Sequence, residues 1–400
     1  MNKLSPAERA SLERIDAGAM LARVERWAAI NSGTRNVAGC LAMARELADA
    51  FAALPGTVEL VEPTATDSVA ADGRVEPLAH GPHLRVSVRP AASVRLLLTG
   101  HMDTVYPAGH AFQSLQWREP GVLNGPGVAD MKGGLSLMLE ALLAIEAGGS
   151  QLGYDVIINS DEETGSLSSA ALLAEAARGK VAALTYEPAL PDGTLAGARG
   201  GTGNFSIVVR GRAAHAGRNP EDGRNAIVAA SALAVRLHAE RSPRLAVNPA
   251  RIEGGGPNNV VPDLAVLRVN FRPADDAEIT RAQTAIDAAV AAVQAAHDVS
   301  IAVHGSFNRP PKPIDAGAAR LFELVRSAGA DLGQPIAWRD TGGVCDGNNI
   351  AACGVPVVDT MGARGGAIHS NDEFLIVDSL AERAALSAVT MLRLAEGALA

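Results

Sequence analysis

The sequence predicts an α/β protein: a central, mostly parallel sheet with helices on both faces, interrupted by an inserted α+β domain of ferredoxin-like order. Three observations predict it. Short apolar runs alternate with helical spacing through the first half of the chain. A β-α-β-β-α-β series then runs from about Gly200 to about Pro310, and a histidine-bearing segment beyond it, at residues 366–371, completes a ligand set begun before it. The expected division is 1–199 and 311–400 for the main domain and 200–310 for the insert. At 400 residues, 48% of them hydrophobic, the chain can bury two cores.

In chain order, helices are predicted over residues 37–54 and 134–147. In the second, Leu135, Met138, Leu139, Leu142 and Ile145 recur at helical spacing, which predicts one buried face. Strands are predicted over 94–99, 154–159 and 181–186, short apolar runs that end in polar residues, as central strands covered on both faces do. The insert is read as a strand over 203–210, a helix over 224–241, strands over 244–252 and 263–272, an alanine-rich helix over 275–297 and a strand over 299–304.

The formal net charge of −9, with no concentrated basic patch, argues against nucleic acid or an anionic membrane as partner and favours a small molecule. Three cysteines, Cys40, Cys345 and Cys353, are too few for a disulfide framework. The stretch 1–9 carries charged residues, acidic Glu8 among them, where a secretory signal has an apolar core, and no segment has the unbroken apolar length of a membrane span, so a cytoplasmic enzyme is expected.

Chemistry-bearing residues stand just past the predicted strand ends, where ligands collect in α/β sheets: His101 and Asp103, then Glu162 and Glu163, then Glu187. Asp130 lies in a glycine-rich turn that opens a helix, and His369 in the segment after the insert. Two imidazoles and three carboxylates are the donors that zinc or a similar divalent ion accepts. A two-metal site holds its ions about 3.5–4 Å apart through a shared carboxylate, here assigned to Asp130. His101 and Glu187 complete one metal, Glu163 and His369 the other. Adjacent residues in an extended segment point to opposite sides, so Glu162 is left to face substrate as general base. Asp103 is placed to accept the second ring N–H of His101.

These segments, His-Met-Asp-Thr-Val, Gly-Val-Ala-Asp-Met-Lys-Gly-Gly, Asp-Glu-Glu-Thr-Gly-Ser, Glu-Pro and His-Ser-Asn, resemble those of the zinc carboxypeptidase and aminoacylase family that includes bacterial glutamate carboxypeptidase, acetylornithine deacetylase and succinyl-diaminopimelate desuccinylase. The likeness covers nearly the whole chain. It implies two Zn2+ per subunit, with Co2+ or Mn2+ as substitutes, a cis peptide at Asp130-Met131, and an insert that serves as lid and homodimer interface. It implies that His215, in Gly211-Arg212-Ala213-Ala214-His215-Ala216-Gly217, reaches the partner's site and stabilises the oxyanion. Asn259 and Arg272 match lid positions that contact substrate, Arg309 matches an arginine that grips an α-carboxylate, and Gly343, with Gly342 and Asp346, belongs to a substrate loop. The activity implied is cleavage of an amide bond in a peptide or N-acyl amino acid, glutamate carboxypeptidase-like, with N-acyl-amino-acid deacylation as the alternative. Ile368 and Cys345 depart from the glutamate carboxypeptidase pattern.

Each residue alone has a plainer reading: a histidine bonded at a strand end, an acidic triple at a helix entry. Joint occurrence, in order and at strand ends, favours the metal centre. A cysteine hydrolase using Cys345 with His369 would leave the carboxylates and His101 unexplained. A non-catalytic binding module would leave Glu162 without a task.

Overall fold

A computed structural model describes residues 4–399, so the first three residues of the N-terminal stretch considered above lie outside the described residues. The largest sheet has six strands in the order Thr57–Val61, His83–Val88, Gly153–Asn159, Arg95–His101, Ala182–Thr185 and Val357–Val358. Five run in one direction and His83–Val88 runs against them. Side chains alternate across the pleat. Leu96, Leu98, Val156, Ile158 and Leu184 enter one core with helices Val37–Phe51, Gly133–Ala147 and Ser379–Ala395. Leu97, Ile157, Ala183 and Val357 enter another, beneath Leu173 and Ile350 of helices Ala170–Ala177 and Asp346–Ala351. With helices on both faces the strands are apolar on both sides, which is why they read as runs rather than alternations.

Helix Gly133–Ala147 departs from expectation. Nearly all its residues are buried, because helices Ala17–Ala28 and Ser379–Ala395 pack over the side that a one-faced stripe would leave to solvent. Gly134 permits this depth at the start: a Cβ there would stand 2.1 Å from the carbonyl oxygen of Tyr186.

The second half supplies a separate core. Strands Leu245–Gly254, Leu264–Pro273, Thr202–Arg210 and Ser300–Arg309 form an antiparallel sheet in that order. Phe205, Ile207, Leu267 and Phe271 on it pack against Leu233 and Ile286 from helices Ala226–Ala239 and Asp276–His297. Burying each such side chain contributes about 1.5–3 kcal/mol. The longer helix starts where Asp275 accepts the Glu278 N–H at 3.0 Å, and it buries Ala282, Ile286, Ala289 and Val293 at helical spacing. A hairpin of the first half, Thr66–Val69 with Val75–Leu78, holds this sheet: Arg268 donates to the Val69 carbonyl at 2.7 Å and Arg210 to that of Gly73 at 3.0 Å.

A small antiparallel sheet, ordered Gly365–Gly366, Phe374–Ile376, Val122–Asn124 and Gln116–Glu119, matters for the site. The turn joining its first two strands carries His369, and the third strand leads into Asp130, so residues 239 apart in sequence (369 − 130) become neighbours. Among the described residues no helix is long and apolar enough to cross a membrane.

Candidate metal centre

His101 ends the strand Arg95–His101, its ring buried. Its Nε2 lies 3.0 Å from Asp130 Oδ1 and 3.7 Å from Glu187 Oε2. On the other side of the ring, Nδ1 is 3.0 Å from the Asp103 carbonyl oxygen and 3.4 Å from its carboxylate. The peptide carbonyl is thus the nearer acceptor. The Asp103 carboxylate is mainly engaged elsewhere, accepting the N–H groups of Glu162 (3.1 Å) and Glu163 (3.2 Å) and the Thr34 hydroxyl (2.7 Å). It fixes the turn from which both glutamates project.

Asp130 stands between two imidazoles. Its Oδ1 faces His101, and its Oδ2 lies 3.3 Å from Nε2 of His369, which is also 3.2 Å from Glu163 Oε2. Asp130 and Met131 leave helical dihedrals within the turn Val128–Lys132, and the peptide between them is cis. Two trios result, His101, Asp130 and Glu187, and Asp130, Glu163 and His369, with the donor atoms of each within 4.8 Å of one another. Two imidazoles and three carboxylates, one common to both trios, suit a pair of divalent cations.

The electrostatics favour the same fit. Burial pushes the carboxyls of Glu162, Glu163 and Glu187 up, Glu163 to about 7. Burial opposes ionisation of Asp130 too, but hydrogen bonds from His101 and His369 hold it below the usual carboxylate range. His369, paired with Asp130 and Glu163, is pushed up to about 10. Crowded buried carboxylates of this kind are stabilised by positive charge, which a cation supplies more fully than two imidazoles.

Glu162 and Glu163 lie in a single 3-10 turn, Glu162–Thr164, not in the extended segment expected, yet their carboxylates still diverge. Glu163 meets His369, and Glu162 Oε1 lies 2.7 Å from Nη2 of Arg309. This corrects the expectation that Arg309 offers a free fork to substrate. The side chain is buried, and its Nη2 also donates to the Glu162 carbonyl (2.9 Å) and Ser166 Oγ (2.8 Å) and pairs with Asp346 at 3.3 Å. Anions and oxygen acceptors gather on that one nitrogen because taking a guanidinium out of water is costly without them, while its buried Nε has no partner among the described residues.

A cavity of 670 Å³ opens beside the two trios, lined by Asp130, Glu162, Glu163, Glu187 and His369 and by Gly343 and Cys345 of the glycine-rich loop. Its far wall is a parallel strand pair, Leu195–Arg199 with Trp338–Thr341. Arg272, Asn259 and His215 do not line it. All three are exposed on the second sheet's unit. His215 and Asn259 are close to one another, since His215 pairs with Val260 and Ala216 N–H donates to the Asn259 carbonyl at 2.9 Å. The N–H groups of Gly217 and Arg218 both donate to His215 Nδ1 at 3.1 Å, which places the ring proton on Nε2 and turns a donor outward. Arg272 Nε donates to Asn270 at 2.9 Å.

Two supports escaped the sequence reading. Glu373 accepts the N–H groups of Gly127 (3.0 Å), Ala129 (2.9 Å) and Asp130 (3.0 Å) and the Tyr106 hydroxyl (2.9 Å), clamping the turn that carries Asp130. Its one signal was an acid four residues past His369. Arg199 is held by Asp359 through two bonds, at 2.7 and 2.9 Å, and nothing local in its sequence marks it.

The sequence pattern of peptidase family M20/M25/M40 matches residues 97–393. The chain is 29% identical over 330 residues to carboxypeptidase G2 of Pseudomonas sp. (strain RS-16), a match covering 80% of this chain and 79% of that protein. It is 26% identical to the succinyl-diaminopimelate desuccinylase of Janthinobacterium sp. (strain Marseille) over 89% of this chain and 94% of that one. In fold it resembles the aminopeptidase PepT of Bacillus cereus, with a TM-score of 0.71 at 23% identity over 96% of this chain and 100% of that one.

Proposed function

Since the chain belongs to peptidase family M20/M25/M40 and is a metal-dependent hydrolase, we propose that it is a co-catalytic two-zinc enzyme that cleaves an amide bond and releases an amino acid with a free carboxylate, in the manner of a glutamate carboxypeptidase. The observation that carries this reading is the carboxylate of Asp130, whose two oxygens face different imidazoles. In this reading His101 and Glu187 hold one ion, Glu163 and His369 the other, and Asp130 bridges them. When bound, such a pair acidifies water at the site and offsets charge that develops on the scissile carbonyl.

The chain's own residues do the rest. Glu162 takes a proton from the attacking water and returns it to the departing amine, a task suited to a carboxyl that burial has made more basic. Arg309, itself paired with Asp346, holds that carboxyl in place. Asp103 fixes the turn bearing Glu162 and Glu163 and accepts the Nδ1–H of His101 through its carbonyl oxygen. His215, with its outward Nε2–H, donates to the oxyanion across a homodimer, where Asn259 and Arg272 accompany it to substrate. Residues 1–199 and 311–400 form the catalytic domain in this scheme, and 200–310 the lid and dimer unit; the separate core at 205–299 supports that division. Gly343 belongs to the loop that meets substrate beside the cavity.

A second reading is deacylation of an N-acyl amino acid, favoured by the desuccinylase match, which spans more of both chains than the carboxypeptidase match does. A panel of peptidyl and N-acyl substrates ending in Glu, Asp, Leu and Orn separates the two. Faster cleavage of peptidyl-Glu, abolished by chelation and restored by zinc, is expected. Equal rates across the four end groups remove the glutamate preference, and no chelator-sensitive cleavage of any of them removes the proposal.

A further inference from the structure

The wall of the cavity formed by the strands Leu195–Arg199 and Trp338–Thr341 contains a charge that the scheme above does not use. Of the charged side chains lining the cavity, Asp130, Glu163, Glu187 and His369 engage one another or His101, Glu162 is held by Arg309, and Arg199 by Asp359. Asp340 accepts the Ala198 N–H at 2.9 Å. Arg339 alone has no hydrogen bond or ion pair among the described residues. Asp192, near enough to feel its charge, accepts the Thr194 N–H at 2.9 Å instead.

Trp338 packs against Phe322 with ring centroids 4.7 Å apart, and the exposed Arg339 that follows it lines the cavity, together with Asp340 and Thr341 of the same strand. The partner of Arg339 across the strand pair is Ala196, whose methyl leaves the guanidinium room. Pro188, Leu190 and Ile368 supply apolar lining to the same cavity. Apolar lining with one unmatched guanidinium suits a short aliphatic chain ending in a carboxylate, which Arg can grip with two parallel bonds.

We propose that Arg339 is a specificity-determining residue that binds a second carboxylate of the substrate, carried on the acyl side of the scissile amide. The inference rests on the amide-hydrolase reading. That reading brings Asn259 and Arg272 of the 200–310 unit to the substrate, and neither lines this cavity, so the wall bearing Arg339 is left to the part of the substrate that they do not reach.

The test pairs ligands of equal length that differ by one carboxylate. Calorimetric titration of the zinc-loaded protein with glutarate and with pentanoate gives a preference for glutarate of roughly tenfold or more, the usual scale of a charge-assisted bond. In R339Q that ratio falls toward one, and in R339K part of it remains. The kcat/KM ratio of N-glutaryl-glutamate to N-pentanoyl-glutamate falls in R339Q by a similar factor, through KM. Equal binding of the two acids by the wild type, or an unchanged ratio in R339Q, overturns the proposal. An Arg339-dependent binding preference without hydrolysis of either amide overturns the amide-hydrolase reading and leaves this site standing.

Discussion

Glu162 is held by its surroundings more than by its own segment. Its carboxyl is buried, pushed up by that burial and opposed by the neighbouring charge of Arg309. E162Q keeps the shape and removes the proton acceptor, so turnover should fall roughly 10²–10⁴-fold with metal content unchanged; loss of metal along with activity would make Glu162 a ligand instead. Glu373 acts one step back, through the three N–H groups that it accepts around Asp130. E373Q should weaken zinc binding by about 10–100-fold, read by competition with a chromophoric chelator, and unchanged affinity would reduce Glu373 to a fold support. The thiols make a third case. Burial pushes Cys40 up to about 12 and Cys345 well above its ordinary value, so both stay protonated and unreactive from pH 6 to roughly pH 9. Alkylation of the native protein should modify only the exposed Cys353 and leave activity intact. Inactivation at Cys345 would revive the cysteine hydrolase.

The elements differ in how plainly the sequence announces them. The six elements read between residues 203 and 304 follow their patterns closely because local causes set them: Asn225 and Asp275 cap the helices, and the strands Thr202–Arg210 and Leu264–Pro273 pack against them. The small sheet that brings His369 to Asp130 was not legible, since strands of two to four residues are too short to show a period. Nor was the burial of Arg309, whose partners Glu162 and Asp346 lie 147 and 37 residues away and whose own neighbours, Asn308 and Pro310, look like any loop. The candidate metal-binding residues were legible because each follows an apolar strand or a glycine-rich turn. At this scale the helix Gly133–Ala147 is the sensitive element. G134A would drive a methyl against the Tyr186 carbonyl, directly before Glu187, and should lower stability by about 1–3 kcal/mol, visible as a lower melting temperature. An unchanged melting temperature would mean that the helix can shift without cost.

Two cores on the large sheet and a third in the second half make the relation between the parts the question for the whole molecule. The ligand trios and cavity are built on the large sheet, whereas His215, Asn259 and Arg272 are exposed away from that cavity. If His215 completes the site of a partner copy, mixing inactive E162Q and inactive H215A chains should restore activity, because half of the mixed dimers' sites pair an intact Glu162 with an intact His215. Random exchange predicts about a quarter of the wild-type rate, and no recovery after subunit exchange would place His215 in its own subunit's site or outside catalysis. Every such step rests on the proposal that Asp130 is shared by a pair of cations. Anomalous diffraction at the zinc edge from crystals of the zinc-loaded protein tests this most directly. Two peaks flanking the Asp130 carboxylate are expected, one beside His101 and Glu187 and the other beside Glu163 and His369; a single peak, or peaks away from Asp130, would overturn the two-metal reading.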